Sequence, residues 1–170
     1  MLIFGKTLTM NILLMEEIKF MQRAIELSEM GMQAGNGGPF GCVIVKNGKI
    51  VGEGFNQVTS TNDPTAHAEV VAIRNACKNL HAFQLEGCEI YTSCEPCPMC
   101  LGAIYWARPE KIYYANSRED AKAIGFDDSF IYDEIPLAMH QRKIPMINLS
   151  NQEAKLVFNK WQNKADKTEY

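Results

Sequence analysis

The chain has 170 residues, 46% hydrophobic and 22% charged, the balance of an ordinary globular domain long enough to bury one core without disulfide staples. Its formal net charge is −3, and Lys155, Lys160, Lys164 and Lys167 are diluted by acids rather than gathered into a phosphate-binding stripe. That balance argues against a tRNA or DNA substrate.

The first 15 residues are mildly apolar through Leu2, Ile3, Phe4, Ile12, Leu13 and Leu14, with Thr7, Thr9 and Asn11 interrupting and Glu16-Glu17 following. Neither a signal peptide nor a membrane span has this pattern, so residues 1–15 are expected to form a loose tail, with Met1, Met10 or Met15 as the start. Residues 16–170 then form one domain, since no linker, repeat or low-complexity stretch divides them.

From residue 16 to 34, Ile18, Met21, Ile25 and Met32 recur at a helical spacing closed by Gly35, and Gly37-Gly38-Pro39 follows as a loop. Residues 40–45 and 49–53 read as strands joined by Asn47-Gly48, the dipeptide that favours a two-residue hairpin turn. A polar loop over 56–63 leads to Pro64, which suits a first helical turn, so a helix is predicted over 65–79. A strand over 88–92, a helix over 97–107 and a strand over 111–115 come next. Short helices over 118–124 and 128–135, a last strand over 144–149 and a helix over 152–164 complete the reading. The last helix sets Ala154, Val157, Phe158 and Trp161 on one face, and Trp106 and Trp161 are expected in the core. A hairpin followed by alternating helix and strand indicates an α/β sandwich with a mixed sheet, here of five strands.

The chemistry is concentrated in two segments. His67-Ala68-Glu69 and Pro96-Cys97-Pro98-Met99-Cys100 read His-x-Glu … Pro-Cys-x-x-Cys, with His67 and Cys97 30 residues apart. His67, Cys97 and Cys100 supply three candidate ligands for one Zn²⁺, the count of a catalytic zinc that leaves its fourth position to water. Glu69 is left over as an acid/base, the arrangement of zinc-dependent nucleobase deaminases. Both motifs fall at helix starts, where free N–H groups favour thiolates, and Cys97 and Cys100 are three apart and face one way. His67 and Glu69, two apart, both approach the metal only if the helix points its N-terminal end at it.

The bland alternative is a closed structural zinc whose fourth ligand is Cys94 or Glu69, making the chain a non-catalytic, zinc-stabilised interaction module. Cys94 precedes Pro96 and reads as a packed thiol, while Cys42, Cys77 and Cys88 read as small buried apolar groups. His81 and His140 stand among polar residues and read as surface histidines. Reduced thiols imply the cytoplasm.

At Asn62-Asp63-Pro64-Thr65-Ala66-His67-Ala68-Glu69, at residues 91–107 around Cys94-Glu95-Pro96-Cys97, and at Gly125-Phe126-Asp127-Asp128, the chain resembles the cytidine-deaminase superfamily. The last of these segments and the ending Glu169-Tyr170 are similar to its small bacterial guanine-deaminase branch. The resemblance implies a three-layer α-β-α sandwich of cytidine-deaminase type and conversion of guanine to xanthine and ammonia with one zinc per subunit. It also implies a homodimer that exchanges its C-terminal segment. By the same resemblance, Phe40 stacks on the purine, Asn56 bonds its edge, the Ala68 N–H meets the base carbonyl, Asp128 holds the ring, and Tyr170 arrives from the partner subunit. Taken alone, Phe40 reads as core, Asn56 as a turn residue, Asp127 or Asp128 as a helix cap, and Tyr170 as a frayed end. Rival readings are a tRNA adenosine deaminase and a deaminase of guanosine or another aminated heterocycle.

Overall fold

Asn47 and Gly48 both adopt positive φ, 52° and 70°, as a two-residue hairpin turn of this hand requires, and they join β1 (Gly41–Lys46) to β2 (Lys49–Phe55). The computed structural model describes residues 3–170, with side chains from residue 15 onward. It divides into two compact units, Met1–Asp128 and Ser129–Tyr170. Among the described residues no helix is long and apolar enough to cross a membrane.

In the first unit, α1 (Ile3–Gln33) precedes the hairpin. Then come α2 (Val58–Thr61), α3 (Ala68–Leu80), β3 (Cys88–Cys94), α4 (Pro98–Ala107), β4 (Lys111–Asn116) and α5 (Arg118–Ala123). The sheet order is β2-β1-β3-β4, with β1 antiparallel to both neighbours and β3 parallel to β4, hence mixed. Period-2 alternation divides the core into two layers. Val43, Val45 and Tyr91 face Phe20, Ala24 and Leu27 of α1. Cys42, Ile44 and Ile90 face Ala68, Ala72 and Ala76 of α3 and Ile104 of α4.

The α3 layer lies unusually close to the sheet. Its contact face is an alanine row at i, i+4, i+8, and β2 answers with Gly52 and Gly54. A Cβ on Gly54 would lie 2.4 Å from the Ala68 carbonyl oxygen, and one on Gly52 2.6 Å from that of Ala72. The two glycines therefore set the distance at which the start of α3 is held. On the outer edge of β2, the Asn75 and Asn79 amides donate to the carbonyls of Glu53 and Val51 at 2.9 and 3.0 Å, covering strand groups that no neighbour pairs.

Five expectations are corrected. Among the described residues the sheet has four strands, not five: residues 144–149 contain Pro145 and form no ladder, and Ile144, Ile147 and Leu149 are each at least 80% exposed. The helical period of α1 is right but its phase is not. Phe20, Ala24 and Leu27 are buried, while Ile18, Ile25 and Met32 face outward. Trp106 is exposed because the buried face of α4 is Cys100, Ile104 and Ala107, and Trp161 of the second unit is also exposed. Cys77 is only half-buried. Finally, α3 starts at Ala68 and not Thr65, because Asp63 Oδ1 accepts from the N–H and hydroxyl of Thr65 at 2.8 and 2.7 Å and holds Pro64 in a turn.

The expected loose tail lies partly outside the described residues. From Ile3 onward the backbone is helical in continuation of α1, since extending a helix whose nucleus is already anchored costs little per residue.

The second unit consists of α6 (Ser129–Glu134), a 3₁₀ turn at Met139–Gln141 and α7 (Gln152–Gln162). Arg142 ties its loop by donating to the carbonyls of Leu137 and Ile135 at 3.1 and 2.9 Å. Asn151 caps α7 through Glu153 N at 2.7 Å, and Leu156, Val157 and Phe158 stand exposed along that helix.

Candidate active site

Two helix starts converge on one point. His67 is the N-cap of α3 and Cys97 the N-cap of α4, both in extended backbone, with Pro98 opening the helix behind Cys97. Because His67 precedes the helix while Glu69 lies in its first turn, residues two apart reach the same place, as the spacing argument requires. The three ligand atoms lie within 4.8 Å of one another.

This set fits zinc. Bonds of about 2.3 Å to sulfur and about 2.0 Å to nitrogen at a tetrahedral angle put the S and N donors roughly 3.5 Å apart. His67 Nδ1 stands 3.6 Å from Cys97 Sγ and 3.4 Å from Cys100 Sγ. Hydrogen bonding from Cys100, aided by His67, holds the Cys97 thiol down at about 4, ready as a thiolate. Cys97 in turn raises His67 above its ordinary value.

Glu69 completes the cluster from below. It is buried, and desolvation raises its carboxyl above the usual range. Its Oε2 accepts from Cys100 Sγ at 3.3 Å and its Oε1 from the Thr92 hydroxyl at 3.4 Å. Ala68 is fully buried at the first helical position, where backbone N–H groups lack intrahelical acceptors.

Phe40 and Asn56 flank the open end of the β1–β2 hairpin. The Asn56 N–H donates to the Phe40 carbonyl at 3.0 Å, and Asn56 Oδ1 accepts from Val58 N at 3.1 Å. Asn56 is buried and Phe40 half-buried. Phe40 meets Phe126 edge-on, with ring centroids 4.9 Å apart at 88°. Two residues after Phe126, the half-buried Asp128 carboxyl is raised by burial and by the charge of Cys97.

Of the sequence-expected residues, His67, Ala68, Glu69, Cys97 and Cys100 thus come together, with Asp128 in electrostatic reach and Phe40 and Asn56 paired on the hairpin. Tyr170 ends the second unit and is exposed. Cys94 is buried against the Ser117 carbonyl at 3.5 Å, a packed thiol as expected, and His81 and His140 are exposed. Two residues were missed. Phe126 carries no signal beyond its place in the quoted segment. Thr92 breaks the apolar alternation Cys88, Ile90, Cys94 on one face of β3, a pattern visible in the sequence.

A His-Cys-Cys zinc cradle at two helix starts, with a buried carboxylate beside it, defines the site of a zinc-dependent deaminase. Residues 15–116 match the family described as the cytidine and deoxycytidylate deaminase zinc-binding region, and the chain belongs to that family. It is 58% identical over 151 residues to guanine deaminase of Bacillus subtilis strain 168, covering 89% of this chain and 97% of the relative. It superposes on the X-ray structure of guanine deaminase from Bacillus subtilis with a TM-score of 0.87 at 57% identity, over 89% of this chain and 97% of that one. To the tRNA-specific adenosine deaminase of Aquifex aeolicus it is 42% identical over 105 residues, 62% of this chain and 68% of the relative.

Proposed function

We propose that this protein hydrolyses guanine to xanthine and ammonia, with one Zn²⁺ held by His67, Cys97 and Cys100 in each subunit. Zinc, when bound, lowers the pKa of a water molecule so that it attacks near neutral pH. Glu69 takes the proton of that water as its oxygen bonds to the ring carbon bearing the amine. Glu69 gives that proton to the adjacent ring nitrogen, then takes the remaining proton from the newly added hydroxyl and passes it to the amine, and the C–N bond breaks to release ammonia as the carbonyl forms. The observation that carries this chemistry is that, among the described residues, His67, Cys97 and Cys100 alone cluster within 4.8 Å as a three-ligand set, while the buried Glu69 carboxylate stands outside that set, 3.3 Å from Cys100 Sγ.

The choice of base draws support from the likeness to guanine deaminase and from the polar groups around the cluster. Phe40 stacks on the purine, Asn56 and the Ala68 N–H read its edge, and the Asp128 carboxylate accepts from N–H donors that guanine presents and adenine lacks. A base that leaves such buried groups unpaired is strongly rejected. The chain works as a homodimer whose exchanged C-terminal segments bring Tyr170 to the partner's site. The exposed Val157, Phe158 and Leu149 of the second unit support a surface that awaits cover. Free thiols at all six cysteines support a reducing compartment, the cytoplasm.

The test is ammonia release by the zinc-loaded protein from guanine, guanosine, adenine, cytosine, cytidine and an adenosine-34 tRNA, side by side. Guanine turned over well above the others is the expected result. Preference for the tRNA would replace this reading with the adenosine one, and inactivity on every substrate with zinc present would favour the non-catalytic module.

A further inference from the structure

Glu69 rests on the sheet, and the strand face beneath it is otherwise apolar. Along β3 the residues turned toward α3 are Cys88, Ile90, Thr92 and Cys94, with Cys42 of β1 directly opposite Thr92 in the ladder. Cys42 and Thr92 are 0% and 1% exposed, so neither side chain meets water. A hydroxyl in such a place requires an acceptor, because leaving it unpaired forfeits its solvation. The acceptor is Glu69 Oε1, at 3.4 Å. That length is one that hydrogen bonds of a free active site take before substrate tightens them. The other carboxylate oxygen, Oε2, points at the ligand cluster.

We propose that Thr92 is a positioning residue for the reaction: its hydroxyl holds Oε1 so that Oε2 stays aimed at the reacting water. The inference rests on the role given to Glu69 under the proposed function. A carboxylate on a two-carbon stem has rotamers to choose among, and the one that serves the reaction is selected by a fixed donor in the strand below. The Thr92 hydroxyl donates to the carboxylate and exchanges no proton with the substrate.

The test compares two pairs that differ only by the hydroxyl, wild type against Thr92→Val and Thr92→Ser against Thr92→Ala, on whichever base the wild type turns over fastest. In each pair we expect kcat to fall about ten- to a hundred-fold on losing the hydroxyl, the range for a hydrogen bond to a charged group. KM should change less than about threefold, zinc should remain at one per chain, and Thr92→Ser should stay near wild type. Where Thr92→Val does not fold, the Ser/Ala pair alone decides. In a Glu69→Gln background the Thr92→Val change should cost nothing further. Equal kcat within both pairs would overturn the proposal, as would Thr92→Ser falling as far as Thr92→Val. A Glu69→Gln variant that remains fully active would instead sink the role of Glu69, which separates that failure from this one.

Discussion

The Asn56 N–H donates to the Phe40 carbonyl at 3.0 Å, so the residue proposed to read the purine edge and the one proposed to stack on its face share one backbone hydrogen bond. The two strands of a hairpin thus deliver an amide and an aromatic ring at a spacing set by the ladder.

Beneath Asn56 lies Gly37, and a Cβ there would stand 2.0 Å from Asn56 Oδ1 and 2.9 Å from its carbonyl oxygen. Gly37→Ala must therefore push the amide out of place. The expected outcome is a loss of about tenfold or more in kcat/KM for guanine, chiefly through KM, since one buried hydrogen bond is worth roughly that much. Zinc content should not change. Steady-state kinetics with metal analysis of the purified variant checks both parts.

Glu69→Gln keeps the size of the side chain and removes its basicity. Zinc and the melting temperature should stay near wild type while kcat falls by about 10²–10⁴-fold, the contribution typical of a positioned acid/base. A variant that turned over at a near-normal rate would remove Glu69 from the proton path.

The metal-free protein should announce its ligands by reactivity. With the Cys97 thiol held at about 4, it is a thiolate at pH 6, whereas its hydrogen bond to Cys97, and then burial, keep the Cys100 proton on. Iodoacetamide at pH 6 should therefore label Cys97 ahead of the other cysteines after chelation, and labelling should fade as pH falls through about 4. Restored zinc should block the reaction. Peptide mapping by mass spectrometry reads all three results.

Removal of Glu169 and Tyr170 addresses the exchanged tail. Catalytic efficiency on guanine should drop while zinc remains bound and the Met1–Asp128 unit keeps its stability, because neither residue belongs to that unit. Unchanged kinetics would end the role proposed for Tyr170. Mixing the truncated protein with a Glu69→Gln subunit should recover part of the activity only if tails serve the partner's site.

Much of the site was legible in the chain because its signals are local. His67, Glu69, Cys97 and Cys100 announce themselves by spacing, and a helix start imposes the same geometry wherever it occurs. The Asn47-Gly48 turn is equally local, since few dipeptides accept two positive φ values in succession. What the sequence by itself determined is the ligand set, the carboxylate beside it, the hairpin, and the α/β order that carries them.

The tertiary structure decided the rest. The period of α1 revealed a buried face without saying which, because apolar residues occupy both sides of that helix and only the sheet selects Phe20, Ala24 and Leu27. The run at 144–149 has the composition of a strand but no ladder to join, and Trp106 turns outward because α4 spends its inner face on Cys100 and Ile104. Thr92 has a visible place in the alternation of β3, yet its partner lies 23 residues away on another element. Spacing along a chain sets what a segment presents; which surface receives it depends on contacts between residues far apart in sequence, and those exist only once the layers have packed.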